Sequence, residues 1–269
     1  MPELPEMENY KRLLTKKIGE RTITDVQVNR EKSINVATNE FINRVQHHQI
    51  VEVKRRAKYL VFTLDTGDKL LLHLMLGGWM FYGAGLDKPD RTIQIRLSFG
   101  EEHLYFIGLR LGYLHLLTQQ QLDEELQDLG SEPLDINYSL DAFLSDVREK
   151  RGKLKAALVD QQFLAGIGNR YSDEICWDAQ LLPTRQTNEL SNEESVRLYH
   201  SIRHVLQQGL KHGGYMDTPL YVNDHKTGRY HHFFKVYNRE AENCPRCGTT
   251  ITRDEVSSRK CFYCTACQQ

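Results

Sequence analysis

The chain opens Met1-Pro2-Glu3-Leu4-Pro5-Glu6, and Pro2 is the residue with unusual chemistry. A free amino-terminal proline is a secondary amine, and initiator methionine is usually removed ahead of a small residue. An α-amine titrates near about 8, so a useful fraction is an unprotonated nucleophile at neutral pH. Such a nitrogen can attack a sugar carbon such as C1′ and form an iminium, the Schiff-base form of covalent catalysis. Glu3 and Glu6 lie close enough in sequence to manage the protons. The same residues also suit a plain helix start, with proline in the first turn and acids complementing the dipole.

Six cysteines are present, five of them in the last 26 residues. Cys244-Pro245-Arg246-Cys247 and Cys264-Thr265-Ala266-Cys267 are two CxxC pairs separated by 16 residues. Each pair puts two thiolates at the tip of a tight turn, and two such tips make a tetrahedral site for one structural zinc ion. Four sulfur ligands leave no open coordination position, so the expected role is folding rather than catalysis. Cys261 blurs the register, because Cys261 and Cys264 also form a CxxC. Residues 248–263 then read as a hairpin with Arg259 near its end, placed either to reach a phosphate or to sit as a solvated charge.

A third pattern is Gly166-Ile167-Gly168-Asn169, between two helical stretches. Glycines let backbone approach a ligand closely, and the following helix start offers free N–H groups and a positive dipole end. Asn169 could cap that helix or donate to a phosphate oxygen; a plain connector fits the same residues.

These residues need elements to hold them. Residues 6–19 predict a helix with the stripe Met7, Tyr10, Leu13 and Leu14. Apolar or alternating runs at 23–28, 51–54, 59–64, 69–74, 92–99 and 103–107 predict strands of a sandwich or barrel, with a helical insertion at 31–45. Past a linker at Gly130-Ser131-Glu132-Pro133-Leu134 the chain turns helical, at 140–149, 154–162, 170–179 and 192–212. A Gly-, Tyr- and His-rich loop, 213–232, precedes the cysteine segment. The fold class expected is α+β and multidomain: 1–130 a β domain, 135–238 a helical domain, 239–269 a zinc finger.

At 269 residues, 40% hydrophobic and 26% charged, the composition is that of a soluble globular chain. No apolar run reaches membrane-spanning length and no signal-peptide core is visible, so residence is expected in the cytoplasm and not at a membrane. Lys and Arg total 35 against 36 Asp and Glu, which is not the bulk signature of a nucleic-acid binder. A DNA partner would require positive charge gathered locally, as in Lys54-Arg55-Arg56-Ala57-Lys58 or the stretch from Arg148 to Lys155.

The proline hexapeptide, the Gly-Ile-Gly-Asn turn and the terminal four-cysteine module, in that order, resemble the formamidopyrimidine-DNA glycosylase/endonuclease VIII family, closer to the formamidopyrimidine branch. Further family-like strings are Arg55-Arg56-Ala57-Lys58-Tyr59-Leu60, Leu158-Val159-Asp160-Gln161 and Val236-Tyr237-Asn238-Arg239. The resemblance implies a helix-flanked N-terminal β-sandwich, a helix–two-turn–helix domain and a β-hairpin zinc finger. It implies a bifunctional glycosylase and abasic-site lyase acting as a monomer on damaged or abasic duplex DNA. Pro2 then corresponds to the nucleophile, Glu3 to the acid/base at the sugar, Glu6 to a supporting carboxylate, and Lys58 to a lysine near the lesion phosphates. His73, Asn169 and Arg259 match phosphate-gripping residues, and Lys155 is grouped with them.

The sequence departs from that family where a methionine, an arginine and a phenylalanine fill the gap left by a flipped base. The matching positions are Leu76, Leu109 and Leu111, with Arg110 beside the arginine position. Leucine can wedge between bases. Leu109 cannot hydrogen-bond an orphaned base, a contact worth about 1–3 kcal/mol of discrimination. The expectation is a leucine-lined wedge and an altered or weakened range toward 8-oxoguanine, with Arg110 shifting into place as the alternative. A second reading keeps the scaffold as a catalytically reduced binder of damaged, abasic or distorted DNA; a third is a zinc-ribbon scaffold with no DNA role.

Overall fold

The computed structural model describes residues 1–269, and the chain divides into two compact units. The first comprises Met1–Gln127 with His212–Arg229, the second Asp128–Lys211 with Tyr230–Gln269. No helix is long and apolar enough to cross a membrane.

In the first unit, helix α1 (Leu4–Ile18) precedes strand β1 (Asp25–Val28) and helix α2 (Thr38–Val45). Seven strands follow: β2 (Ile50–Arg56), β3 (Tyr59–Leu64), β4 (Lys69–His73), β5 (Trp79–Ala84), β6 (Ile93–Phe99), β7 (Glu102–Ile107) and β8 (Tyr113–Leu117). Helix α3 (Gln119–Leu126) closes the run. The strands make two four-stranded antiparallel sheets, ordered β1-β6-β7-β5 and β2-β3-β4-β8.

The period-2 alternation of side chains decides how they pack. Leu60, Phe62, Leu64, Leu70, Leu72, Leu114 and Leu116 face one way from the second sheet, and Met80, Tyr82, Ile95, Leu97, Leu104 and Phe106 face them from the first. Met7, Tyr10, Leu14 and Ile18 of α1 join the same core. Each sheet also has an apolar outer face. Val61, Leu71 and Leu117 are covered by Leu122 of α3, and Phe81, Tyr105 and Ile107 pack together on the other sheet. Burial on both faces is why these strands read as nearly continuous apolar runs.

Several expectations change in detail. Strands β5 and β8 and helix α3 had no predicted counterpart. The insertion at 31–45 is a 3₁₀ turn, Glu31–Ser33, followed by the shorter α2.

The second unit contains α4 (Leu140–Glu149), α5 (Leu154–Leu158), α6 (Asn169–Asp178), α7 (Asn192–Lys211) and the hairpin β9 (Thr252–Val256)–β10 (Arg259–Tyr263). Ser191 and Glu194 form a reciprocal cap at the start of α7, each side chain bonding the other's backbone N–H. The predicted helix at 154–162 stops at Leu158 because Gln161 captures the backbone beyond it. Its amide donates to the carbonyls of Val159 and Ile167, both at 2.8 Å, and accepts the Gly166 N–H at 3.0 Å.

Two neighbouring carboxylates on α6 fasten the rest of this unit. Asp173 accepts the Phe262 N–H of β10 at 3.2 Å and the Cys261 thiol at 3.3 Å. Glu174 accepts the backbone N–H groups of Lys235, Val236 and Tyr237 at 2.7, 3.0 and 2.8 Å. Burial pushes the Asp173 carboxyl up to about 6 and the Glu174 carboxyl up to about 7, against these stabilising partners.

Lys155 is corrected by this arrangement. Expected to bind DNA, it is 0% exposed, and its ammonium donates to Asp173 at 2.6 Å, Ser172 Oγ at 2.8 Å and the Asn169 carbonyl at 2.7 Å. A lysine whose charge is consumed inside the unit cannot also reach a phosphate. Lys155→Met should therefore destabilise the protein by about 3–5 kcal/mol in urea unfolding, because it leaves Asp173 buried without its cation. Lys155→Met combined with Asp173→Leu should recover a large part of that loss. A single-variant loss under about 1 kcal/mol would contradict the assignment.

Candidate active site and DNA-contacting residues

In the first unit the amino-terminal hexapeptide is held in the interior. Pro2, Glu3 and Glu6 are buried, and Met1 is about a third exposed. The helix-start reading and the chemical reading coexist, because α1 begins at Leu4 with Pro5 in its first turn. The Glu6 carboxylate is the fixed point. One oxygen accepts the Glu3 N–H at 2.8 Å, and the other accepts the Tyr215 N–H at 2.8 Å. Gly214 has φ +77°, and a Cβ there would lie 2.3 Å from Glu6 Oε1, so only glycine admits this approach. The Tyr215 hydroxyl donates to the Met1 carbonyl.

The segment 212–229, read from sequence as a loop, is thereby built onto α1. Asp224 organises it, accepting the N–H groups of Leu220, Lys226 and Thr227 and the Thr227 hydroxyl. Asn9 of α1 donates to that hydroxyl at 2.9 Å, and the Leu220 carbonyl accepts the Tyr82 N–H at 2.6 Å. Sequence reasoning placed Tyr215 in the Gly-, Tyr- and His-rich loop but not against the amino terminus, and it missed Asp224, for which an Asp four residues before a Gly was the available signal.

Lys58 lies in the two-residue turn between β2 and β3 and is 6% exposed. Ala57 before it has φ +50°, held by Arg55, which donates to the Ala57 carbonyl at 3.1 Å and to Glu8 at 3.0 Å. His73 ends β4, its ring 4.3 Å from that of Tyr59 and edge-on to Tyr113. Burial and the Lys58 ammonium hold its pKa down to about 4, so the ring is neutral at physiological pH. Its Nε2 is buried and has no hydrogen-bond partner within the chain.

The two loops that carry the leucines touch each other. A Cβ on Gly108 would meet the Gly77 carbonyl oxygen at 2.1 Å, and one on Gly112 would meet that of His73 at 2.4 Å. From these loops Leu76 is 68% exposed and Leu111 63% exposed. Leu109 departs from the expectation and is 0% exposed. Its N–H is bonded to Gln94 and its carbonyl to Ser33, both at 3.2 Å, which turns the side chain into the sandwich core. Arg110 is exposed between the two, with its carbonyl accepting from Arg30. Of the three leucines expected to line a wedge, Leu76 and Leu111 are therefore exposed and Leu109 is not.

In the second unit, Asn169 is the first residue of α6, after the Gly166–Gly168 turn, and its Oδ1 is buried without a hydrogen-bond partner. Arg259 starts β10, exposed, after a turn whose two residues, Ser257 and Ser258, both have positive φ. It lies near enough to Asp160 to help hold that carboxyl below its usual range, behind hydrogen bonds from Lys150 and Gln162.

Cys244, Cys247, Cys264 and Cys267 bring their sulfurs within 4.8 Å of one another. The Cys244–Cys267 and Cys247–Cys264 separations are 3.8 and 3.5 Å. A tetrahedron with Zn–S bonds of about 2.3 Å has edges of about 3.8 Å, so the cluster fits one structural zinc ion. Cys261 stands apart, spent on Asp173, which settles the CxxC register. The Trp177 indole N–H donates to Cys244 Sγ at 3.4 Å, a contact that steadies the ligand from outside.

Comparison with known proteins agrees with this layout. The sequence model for the formamidopyrimidine-DNA glycosylase N-terminal domain matches residues 1–113, and that for the formamidopyrimidine-DNA glycosylase H2TH domain matches 129–218. The chain is 36% identical over 275 residues to the formamidopyrimidine-DNA glycosylase of Pelotomaculum thermopropionicum, covering all of this chain and 99% of that one. It is 32% identical over 279 residues to that of Desulforamulus reducens, with the same coverage. The chain belongs to the formamidopyrimidine-DNA glycosylase family. Similar solved structures include a Lactococcus lactis enzyme of the family in complex with DNA containing Fapy-dG (29% identity, TM-score 0.91, 100% of both chains). Another is a complex of that enzyme with DNA containing an abasic site (28%, TM-score 0.91, 99% of both).

Two outcomes follow. Metal analysis should give one zinc per chain, and chelation should change Trp177 fluorescence as its sulfur partner moves; a full zinc complement in Cys247→Ala would contradict the ligand set. For His73, a depressed folded pKa means the unfolded chain binds more protons between about pH 4 and 6.5, so this stability is present above pH 6.5 and lost as pH falls toward 4. Between pH 7 and 5 the loss should reach about 2 kcal/mol and should vanish in His73→Phe; parallel pH–stability curves for the two proteins would refute it.

Proposed function

We propose that this chain is a DNA glycosylase with abasic-site lyase activity, acting on oxidised bases in duplex DNA. The observation that carries the reading is the anchoring of Pro2 and Glu3 by Glu6, which fixes a would-be amine nucleophile and a carboxyl group in one buried place. Removal of Met1 frees the Pro2 nitrogen. The damaged nucleotide is turned out of the stack, and the amine attacks C1′ and expels the base, with Glu3 handling the proton at the sugar. The iminium acidifies the C2′ proton; loss of the 3′ phosphate and then the 5′ phosphate leaves a one-nucleotide gap.

His73 and Lys58 of the first unit, and Asn169 and Arg259 of the second, serve the phosphates in this reading. The buried His73 Nε2, which has no partner within the chain, is consistent with a ring N–H that donates to a phosphate oxygen. Leu76 and Leu111 supply the wedge. With Leu109 buried, no side chain at that position can read the orphaned base, so discrimination for cytosine opposite 8-oxoguanine is weakened unless Arg110 assumes it. The zinc ion, held by the four cysteines, keeps the hairpin bearing Arg259 folded and takes no part in the chemistry.

The same altered wedge favours a second reading, a catalytically reduced binder of damaged or abasic DNA. Borohydride trapping on an abasic-site duplex separates the two. The native protein should form a covalent adduct, intact mass should show Met1 absent, and Glu3→Gln should slow base release about 100-fold or more. Tight binding to abasic DNA with no adduct and no strand cleavage at any lesion would establish the binder instead.

A further inference from the structure

The residue that meets the reactive end of the chain most directly is Tyr215, which lies outside α1 and 213 positions away from Pro2. Its hydroxyl donates to the Met1 carbonyl oxygen, and that carbonyl carbon is the one bonded to the Pro2 nitrogen. An oxygen on that carbon is about 2.3 Å from the nitrogen, so a hydroxyl hydrogen-bonded to it lies within roughly 5 Å of the future amine.

The position of this hydroxyl does not depend on Met1. The Tyr215 backbone is tied to Glu6 Oε1 at 2.8 Å, Gly214 is in close contact with the same carboxylate, and the tyrosine is only 3% exposed. When Met1 leaves, the oxygen that takes the hydroxyl's proton leaves with it, while the Pro2 nitrogen stays within roughly 5 Å of the hydroxyl.

We infer that Tyr215 is a positioning residue for the nucleophile: its hydroxyl oxygen accepts an N–H from the Pro2 amine and so directs the nitrogen lone pair toward the sugar. This deepens the proposed lyase reading and rests on it for its catalytic consequence. A secondary amine carries one N–H when neutral and two when protonated. Engaging one N–H with a fixed acceptor restricts the directions in which the lone pair can point, which is an orientation effect of the kind that intramolecular catalysis uses. An acceptor also favours the protonated form, so its loss lowers the amine's pKa. The charged groups on the elements around it include Glu3, Glu6 and Glu8 on the amine's own segment, Arg55, Arg56 and Lys58 on β2 and the turn after it, and Asp217, Asp224, Lys226 and Arg229 on the 212–229 segment. All are retained in Tyr215→Phe, so the comparison isolates the hydroxyl.

The test uses the full-length protein with Met1 removed. In Tyr215→Phe, single-turnover formation of the borohydride-trapped adduct on an abasic duplex should slow about tenfold at its plateau. The rising limb of its pH profile should move down by about one unit, while affinity for a duplex with a tetrahydrofuran abasic analogue stays within about twofold. The proline amine, titrated by NMR in the DNA-free protein, should show the same downward shift. That measurement stands even if the native protein makes no adduct, so the failure of the lyase reading and the failure of this inference are separable. An unchanged amine titration and pH profile would overturn it, as would equal losses of rate and affinity with an unmoved profile, which is the signature of a packing role alone.

Discussion

The first unit depends on one carboxylate. Glu6 accepts a backbone N–H from its own helix start and another from a segment more than 200 residues later in the chain. Taking a carboxylate out of water is costly unless its lone pairs are used, and charge-assisted bonds to backbone N–H groups are among the stronger ways of using them. The consequence is that the hexapeptide and the 212–229 segment form one piece of structure. Gly214 makes the contact sterically possible, and Asp224 folds the remainder of the segment so that it can lie against α1 and β5.

The second unit repeats the device on α6. Asp173 and Glu174 are adjacent, yet each fastens a different stretch: one the zinc hairpin, the other the strap at 235–237. Lys155 supplies the balancing charge from α5 and simultaneously bonds the Asn169 carbonyl. The start of α6, the hairpin that bears Arg259 and the cysteine cluster are therefore supported by one buried polar network. Such a network is worth most when every member is satisfied, because a half-satisfied one exposes charges to a low dielectric. Lys155, expected from its basic surroundings to face DNA, serves the opposite purpose.

The near-neutral charge balance also takes on a local meaning. Many cations are matched within the fold, as with Arg55 to Glu8, Arg44 to Asp68 and Lys155 to Asp173. Arg110, on a turn, and Arg259, at the start of β10, remain exposed. Net charge describes the whole chain, whereas a polyanionic partner meets only the charges left at the surface.

Much of this protein was legible in its residues because the signals were local. Cysteine spacing specified the metal cluster, since two CxxC turns are each a short-range geometry. The proline hexapeptide and the glycine turn before Asn169 marked two site segments. Short apolar or alternating runs specified most strands, because strand burial is a property of a few neighbouring residues. What stayed hidden was non-local. Strand β5 is buried on both faces and flanked by glycines, so alternation does not mark it. Whether Leu109 lines a wedge or the core was decided by Ser33 and Gln94, and whether Lys155 faces solvent by Asp173. Tyr215 reaches the amino terminus only because Gly214 lets the chain close on Glu6. Sequence alone determined which chemical groups this protein has and the short turns that present them. Tertiary structure decided which of those groups are consumed in holding the fold and which are left for a ligand, because that depends on partners far away in the chain.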